Sequence, residues 1–342
     1  QRLFKISFNK NKFADALGYG WAWDDYNEAY MVERSPMPVF GNVAVFSVKE
    51  SVQYKNYQEI VWQCRPAFFE KNVDSFYTIP LKWIAQNKMD SSKVSSELGK
   101  FQIKREISIN KFYLETTGRT FSSQTIPFYT DGLNTAVEIL KNNFNIGISQ
   151  GIITDNGLYP GIPDHLRIYT LHSQPTDSVL KPMMHRSDNF FAEQTLLMVS
   201  NETLGYMSDE AIIDSLVKTD LKDLPQQPRW VDGSGLSRYN LATPKTLVQL
   251  LRKIKDEFSW DRITTILPTG GEGTLQHYFK DESGFIYAKT GTLSNNCALS
   301  GYQKKKKNKL LIFSVLNNHY AGGATPVRRA VEKFLLRLRE KY

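Results

Sequence analysis

The sequence is poor in the residues that build metal centres and membrane spans. It holds only two cysteines, Cys64 and Cys297, far apart in the 342 residues. Two such thiols make no metal-binding spacing and are expected to be free and buried. The five histidines (His165, His172, His185, His277 and His319) form neither an HxxxH nor an HxxEH pattern, which argues against a zinc enzyme. No stretch approaches the roughly 18 consecutive apolar residues of a membrane-spanning helix. The opening Gln1-Arg2-Leu3-Phe4-Lys5 is not a charged lead followed by an apolar core, as a signal peptide would be. With no starting Met, a mature or trimmed N-terminus is expected. There is no internal repeat and no low-complexity linker.

The formal net charge is +8, which suits nucleic acid, an anionic envelope surface or simple solubility. The basic residues are dispersed and form no aromatic-interleaved stripe, so nucleic-acid binding is disfavoured. The exception is the run Lys304–Lys307 with Lys309, between Tyr302 and the apolar Leu310–Leu316. A solvated hairpin turn is expected there.

The length allows two or more domains. Residues 1–160 read as strand-rich. Val43–Val48 alternates apolar and polar positions, and Val52–Trp62 does so more loosely. A helix is expected over Leu133–Asn142 and a strand over Ile146–Gly151. Thr154–Pro163 is loop-like, which puts the main boundary near residue 160. Beyond it come a strand over Leu166–Leu171, a long helix over Ser187–Val199, and a helix over Thr243–Glu257 with Thr243 as N-cap and Pro244 at its first position. The end is the most legible: strands over Phe285–Lys289, Ala298–Gln303 and Leu310–Leu316, then a helix over Pro326–Glu340. In that helix Val327, Ala330, Val331, Phe334, Leu335 and Leu338 form the apolar stripe. A meander covered by a helix gives an α+β class.

Three short elements carry chemistry. Lys289-Thr290-Gly291, extended by Thr292-Leu293-Ser294, falls at the end of an expected strand. A lysine there supplies a fixed charge for a carboxylate, the threonine a hydroxyl donor, and the glycine room for a peptide along the strand. Ser187-Asp188-Asn189 opens an expected helix, with Ser187 as a natural N-cap. Asp232-Gly233-Ser234-Gly235-Leu236-Ser237-Arg238-Tyr239-Asn240 is a glycine-rich turn held by its Asp and Asn, with Arg238 able to anchor an anionic group.

In chain order, Ser187-Asp188-Asn189, then Asp232–Arg238, then Lys289–Ser294, the three elements resemble the class C low-molecular-mass penicillin-binding proteins, the serine D-Ala-D-Ala carboxypeptidases and endopeptidases of the bacterial envelope. Gly20–Asp25, Tyr30 and Asn42 agree with the same resemblance, which spans nearly the whole chain. It implies a penicillin-binding, β-lactamase-like α+β fold. Residues 161–342 would form the C-terminal part of the main domain and 1–160 a β-rich inserted region. It assigns Ser187 to proton relay, Asn189 to the substrate carbonyl, and Lys289, Thr290, Gly291 and Thr292, with Ser294 next to them, to the terminal carboxylate. Ser234, Leu236 and Arg238 would face the third stem-peptide residue, with Asp25 and Tyr30 on the same pocket. The resemblance implies peptidoglycan stem peptides as substrate, β-lactams as inhibitors, a periplasmic or cell-envelope location, and neither metal nor organic cofactor.

The sequence departs from the family at one place. The S-x-x-K element that carries the nucleophilic serine should precede Gly20–Asp25, and no convincing copy is present. Ser7-Phe8-Asn9-Lys10 lies on an expected strand. Ser178-Val179-Leu180-Lys181 lies too close to Ser187, and Ser215-Leu216-Val217-Lys218 is a spacing common on any helix. The expectation is a fragment of the enzyme that is inactive alone. The alternatives are a non-catalytic peptidoglycan-binding homologue, or a β-lactamase or esterase on the same fold.

Overall fold

The computed structural model describes residues 3–8, 13, 15–53, 57–73, 78–80, 101–116, 123–144, 147–152, 172–305 and 309–341. The chain divides into two compact units, Gln1–Pro160 and Gly161–Tyr342.

The first unit contains β1 (Leu3–Phe8), β2 (Val43–Gln53), β3 (Tyr57–Arg65), β4 (Thr78–Pro80), β5 (Phe101–Arg105), β6 (Phe112–Thr116), β7 (Ser123–Pro127), α1 (Asn134–Phe144) and β8 (Gly147–Ile152). An antiparallel sheet of order β4-β3-β2-β7 lies beside the β5–β6 pair, and β1 pairs with β8 in parallel. The alternation at Val43–Val48 is that of a strand with one buried face: Ala44 and Phe46 are fully buried. The looser alternation at Val52–Trp62 is not one strand. It falls on the end of β2 and the start of β3, with Val52 opposite Glu59. Phe46, Phe69, Phe112 and Phe128 stack with centroids 4.9 to 5.5 Å apart. Arg105 is buried against the Tyr26 and Tyr129 rings, donating to the carbonyls of Pro127, Glu106 and Ile107 and facing Glu33 at 3.5 Å.

The second unit contains α2 (Asp177–Arg186), α3 (Asn189–Leu204), α4 (Asp209–Lys218), α5 (Pro244–Glu257), α6 (Trp260–Ile266), β9 (Ile286–Leu293), β10 (Asn296–Lys304), β11 (Leu310–Asn318) and α7 (Ala324–Lys341). The three strands form an antiparallel meander of order β11-β10-β9. Alternation gives the sheet two faces. Ile286, Ala288, Leu299 and Phe313 pack with Leu335 and Val331 of α7. Tyr287, Tyr302 and Ile312 pack with Leu251, Ile254 and Ile263 of α5 and α6. The sheet is thus covered on both sides, and β9 and β11 are its edges.

The structure redraws several sequence-based boundaries. The expected strand end at Lys289 is interior to β9, which stays paired with β10 through Leu293 opposite Asn296. Thr243 does cap α5, accepting from Thr246 N at 3.2 Å. The apolar stripe of α7 is narrower than expected: Leu335 is fully buried, whereas Phe334 is 54% exposed. Both cysteines are free and buried. Lys305 N bonds to Lys309 O at the expected hairpin turn. The strand expected over Leu166–Leu171 and the loop over Thr154–Pro163 lie outside the described residues. No helix is long and apolar enough to cross a membrane among the described residues.

Candidate active site

The expected long helix is present but starts two residues later, at Asn189, and runs to Leu204, with α2 ending just before it. Ser187 adopts φ 57°, ψ 52°, a left-handed conformation that non-glycine residues seldom take. It ends α2. Asp188, not Ser187, is the N-cap of α3, and its carboxylate accepts from Phe191 N at 3.0 Å. Relieved of capping, the Ser187 hydroxyl accepts a 2.7 Å hydrogen bond from Lys289 Nζ, 102 residues away.

A hydroxyl has one proton and two lone pairs. With one lone pair taken by Lys289, the Ser187 proton is free to be donated onward, which is the geometry of a relay. Lys289 also donates to Thr290 O at 2.5 Å. Desolvation pushes its ammonium down from 10.5 to about 8, because burial disfavours the charged form. No carboxylate pairs with Lys289 among the described residues. The result is a half-buried cation that lacks a counter-ion and stands next to a proton-carrying hydroxyl.

The Asp232–Asn240 loop is built around a buried carboxylate. Asp232, 2% exposed, accepts from Gly235 N at 2.8 Å, Ser237 N at 2.6 Å and Asn240 Nδ2 at 2.8 Å. Glu193 of α3, fully buried, accepts from Ser234 N at 2.7 Å. The loop lies so close to α3 that a Cβ at position 233 would sit 2.7 Å from Ala192 O, so only glycine fits. Asp232→Ala would strand three donors. It is expected to cost about 3 kcal/mol, read by urea denaturation. A cost below about 1 kcal/mol would mean that Glu193 and the glycine contact hold the loop by themselves.

These elements enclose a cleft of about 240 Å³. Its walls include Ser187, Asn189, Ser234, Leu236, Lys289, Thr290, Gly291 and Thr292, so the structure brings all three sequence elements together. The edge of β9 is covered at its start, where Ala288 N donates to Pro268 O, and it opens into the cleft from Lys289. A free strand edge is a template for an added extended peptide. Arg238 and Ser294 do not line the cleft, but they meet each other: Arg238 Nη1 donates to Ser294 O at 3.0 Å. Asp25 and Tyr30 belong to the first unit. The Tyr30 hydroxyl is raised to about 12 by desolvation and by its hydrogen bond with Asp25.

Of the S-x-x-K spacings named above, Ser7 lies on β1, Ser178 on α2 and Ser215 on α4, and neither Ser178 nor Ser215 is in the cleft wall; a fourth such spacing, Ser108-Ile109-Asn110-Lys111, falls between β5 and β6. Lys218 is held by Asp214 at 2.6 Å. Sequence reasoning missed Glu193, Asn296 and Cys297, of which the last two line the cleft. A lone acid in the apolar stretch Asn189–Val199 was the available signal for Glu193.

Three comparisons bear on this arrangement. The sequence matches the model of the D-Ala-D-Ala carboxypeptidase 3 (S13) family over residues 11–338. It is 26% identical over 324 residues to D-alanyl-D-alanine carboxypeptidase DacB of Haemophilus influenzae, covering 90% of this chain and 63% of that protein. It is 34% identical over 163 residues to the D-alanyl-D-alanine carboxypeptidase of Actinomadura sp. (strain R39), covering 44% of this chain and 30% of that one. The chain therefore spans less than two thirds of the length of these two relatives. The structure superposes on crystalline penicillin binding protein 4 (dacB) of Haemophilus influenzae with a TM-score of 0.70 and 19% identity, covering 98% of this chain and 74% of that one. At that identity the likeness establishes the fold, α+β with an antiparallel sheet covered by helices.

Proposed function

Because the chain belongs to the D-Ala-D-Ala carboxypeptidase S13 family, the class C low-molecular-mass penicillin-binding proteins, we propose that its full-length protein is a serine D-Ala-D-Ala carboxypeptidase or endopeptidase acting on peptidoglycan stem peptides. One observation carries this reading: Lys289 Nζ bonded to Ser187 Oγ in a cleft open along the edge of β9.

The substrate lies antiparallel to β9, with its terminal carboxylate on the Lys289 ammonium and the Thr290 and Thr292 hydroxyls. Gly291 leaves the strand edge flat, and the Asn189 amide holds the peptide. A serine outside this 342-residue sequence attacks the carbonyl carbon between the two D-alanines. The new ester bond forms, the amide C–N bond breaks, and the departing D-alanine amine takes its proton through Ser187. Water then hydrolyses the ester. Ser234 and Leu236, on the same loop as Arg238, form the surface for the third stem residue. Residues 161–342 belong to the catalytic domain and 1–160 to the inserted region. The place of work is the periplasm or cell envelope, and a β-lactam acylates the same serine.

The test is release of D-alanine by the full-length gene product from a peptide ending in D-alanyl-D-alanine. The proposal requires release, and requires that penicillin block it. A protein that binds the peptide without cleaving it, or that hydrolyses penicillin with rapid turnover, would overturn the proposal.

A further inference from the structure

Thr292 has a second partner that neither the sequence motifs nor the roles assigned above include. Arg328, on α7, donates from Nη2 to Thr292 Oγ1. The two residues are 36 positions apart, and the contact joins the covering helix to the outer end of the β9 edge. The alternation of β9 explains the approach: Thr290 and Thr292 fall on the face packed by α7, while Lys289 falls on the face toward Ser187.

An ordinary surface arginine would find a carboxylate, and its neighbour does. Arg329 Nη1 lies 2.6 Å from Glu332 Oε2, and its guanidinium stacks at 4.5 Å over the Tyr278 ring. Arg328 touches the same ring only at 6.0 Å, and among the described residues no carboxylate pairs with it. Its position near the start of α7, with no acid in the first turn, sets a positive charge toward the positive end of the helix dipole. Among the described residues the charge has no acidic partner.

The proton count points the same way. When Thr292 Oγ1 accepts from a guanidinium, its own hydrogen must go to another acceptor, and Thr292 borders the cleft. Arg328 therefore fixes the direction of the Thr292 hydroxyl and polarises it as a donor. Lys289 and Arg328 then flank the open part of the edge from its two faces, each without an acidic partner among the described residues, with the Thr290 and Thr292 hydroxyls between them.

We propose that Arg328 is a positioning residue for the carboxylate subsite, acting through Thr292 to make the cleft selective for peptides with a free C-terminal carboxylate. This rests on the peptidase reading above.

The experiment uses the full-length enzyme, with Arg328→Gln and Arg328→Lys, on two peptides ending in D-alanyl-D-alanine. One has a free carboxylate and the other a C-terminal amide. A lost charge-assisted hydrogen bond predicts about a tenfold rise in KM for the carboxylate peptide with Arg328→Gln, with kcat nearly unchanged and the amide peptide unaffected. Arg328→Lys keeps the charge without the two-armed donor and should lose several-fold, on the carboxylate peptide only. It remains the deciding variant if the glutamine protein does not fold. Equal losses on both peptides, a fall confined to kcat, or no change with either variant would overturn the proposal. Failure of the unmodified enzyme on both peptides would instead sink the peptidase reading, and this inference with it.

Discussion

Ser187→Ala is expected to lower kcat of the full-length enzyme by about 10²- to 10⁴-fold, the range for losing a positioned proton-transfer group, while leaving the fold intact. The second half of that expectation comes from the helix ends. Asp188 caps α3, so removing the Ser187 hydroxyl leaves that cap in place. Asp188→Ala should do the opposite, costing about 1 kcal/mol of stability. Ser187→Gly sharpens the contrast. At φ 57° glycine avoids the roughly 1 kcal/mol strain of a left-handed non-glycine residue, which offsets the lost hydrogen bond to Lys289. That variant should be at least as stable as the native protein and equally inactive. Urea denaturation and steady-state kinetics on the three variants decide the matter. A Ser187→Ala protein that is destabilised yet close to fully active would make Ser187 a structural residue.

The second large effect is on pH. Desolvation holds Lys289 at about 8 instead of 10.5, and the cation is the form that grips a carboxylate. Once the proton is lost the anchor is gone, so kcat/KM should fall about tenfold for each pH unit above about 8. Stability moves the other way. In the unfolded chain this lysine keeps its ordinary value, so the burial penalty is present in full below pH 8. It is relieved as pH rises from about 8 to 10.5, because in that window the unfolded state binds more protons. A loss of activity in the window therefore cannot be assigned to Lys289-driven unfolding. Lys289→Arg, which cannot deprotonate, should have lower activity but a flat alkaline limb. A native profile that stays flat to pH 10 would contradict the anchoring role.

Much of this was legible because it is local. The strand meander and α7 show in apolar periodicity. The capping of α5 shows in Thr243-Pro244, and the Asp232–Asn240 loop in its turn residues. The chemistry-bearing triplets stand out because polar residues interrupt those patterns. The illegible parts are tertiary. Ser187-Asp188-Asn189 offers three successive capping residues, and the choice of Asp188 goes with Ser187 turning left-handed toward Lys289, 102 residues away. The extent of β9 was underestimated because Thr-Gly-Thr is a weak strand signal, and only the partner Asn296–Leu299 holds it extended. Glu193 and Arg328 read as charges on helix faces. Only the position of the Ser234 loop over α3, and of α7 over the sheet, turns the first into a support of the cleft and the second into a partner of Thr292.

The most direct test of the account is to treat the full-length protein with labelled penicillin and map the modified residue. The account predicts a single labelled serine outside these 342 residues, with labelling slowed when the cleft is altered at Lys289. Labelling at Ser7, Ser178 or Ser215, or no labelling at all, would contradict it.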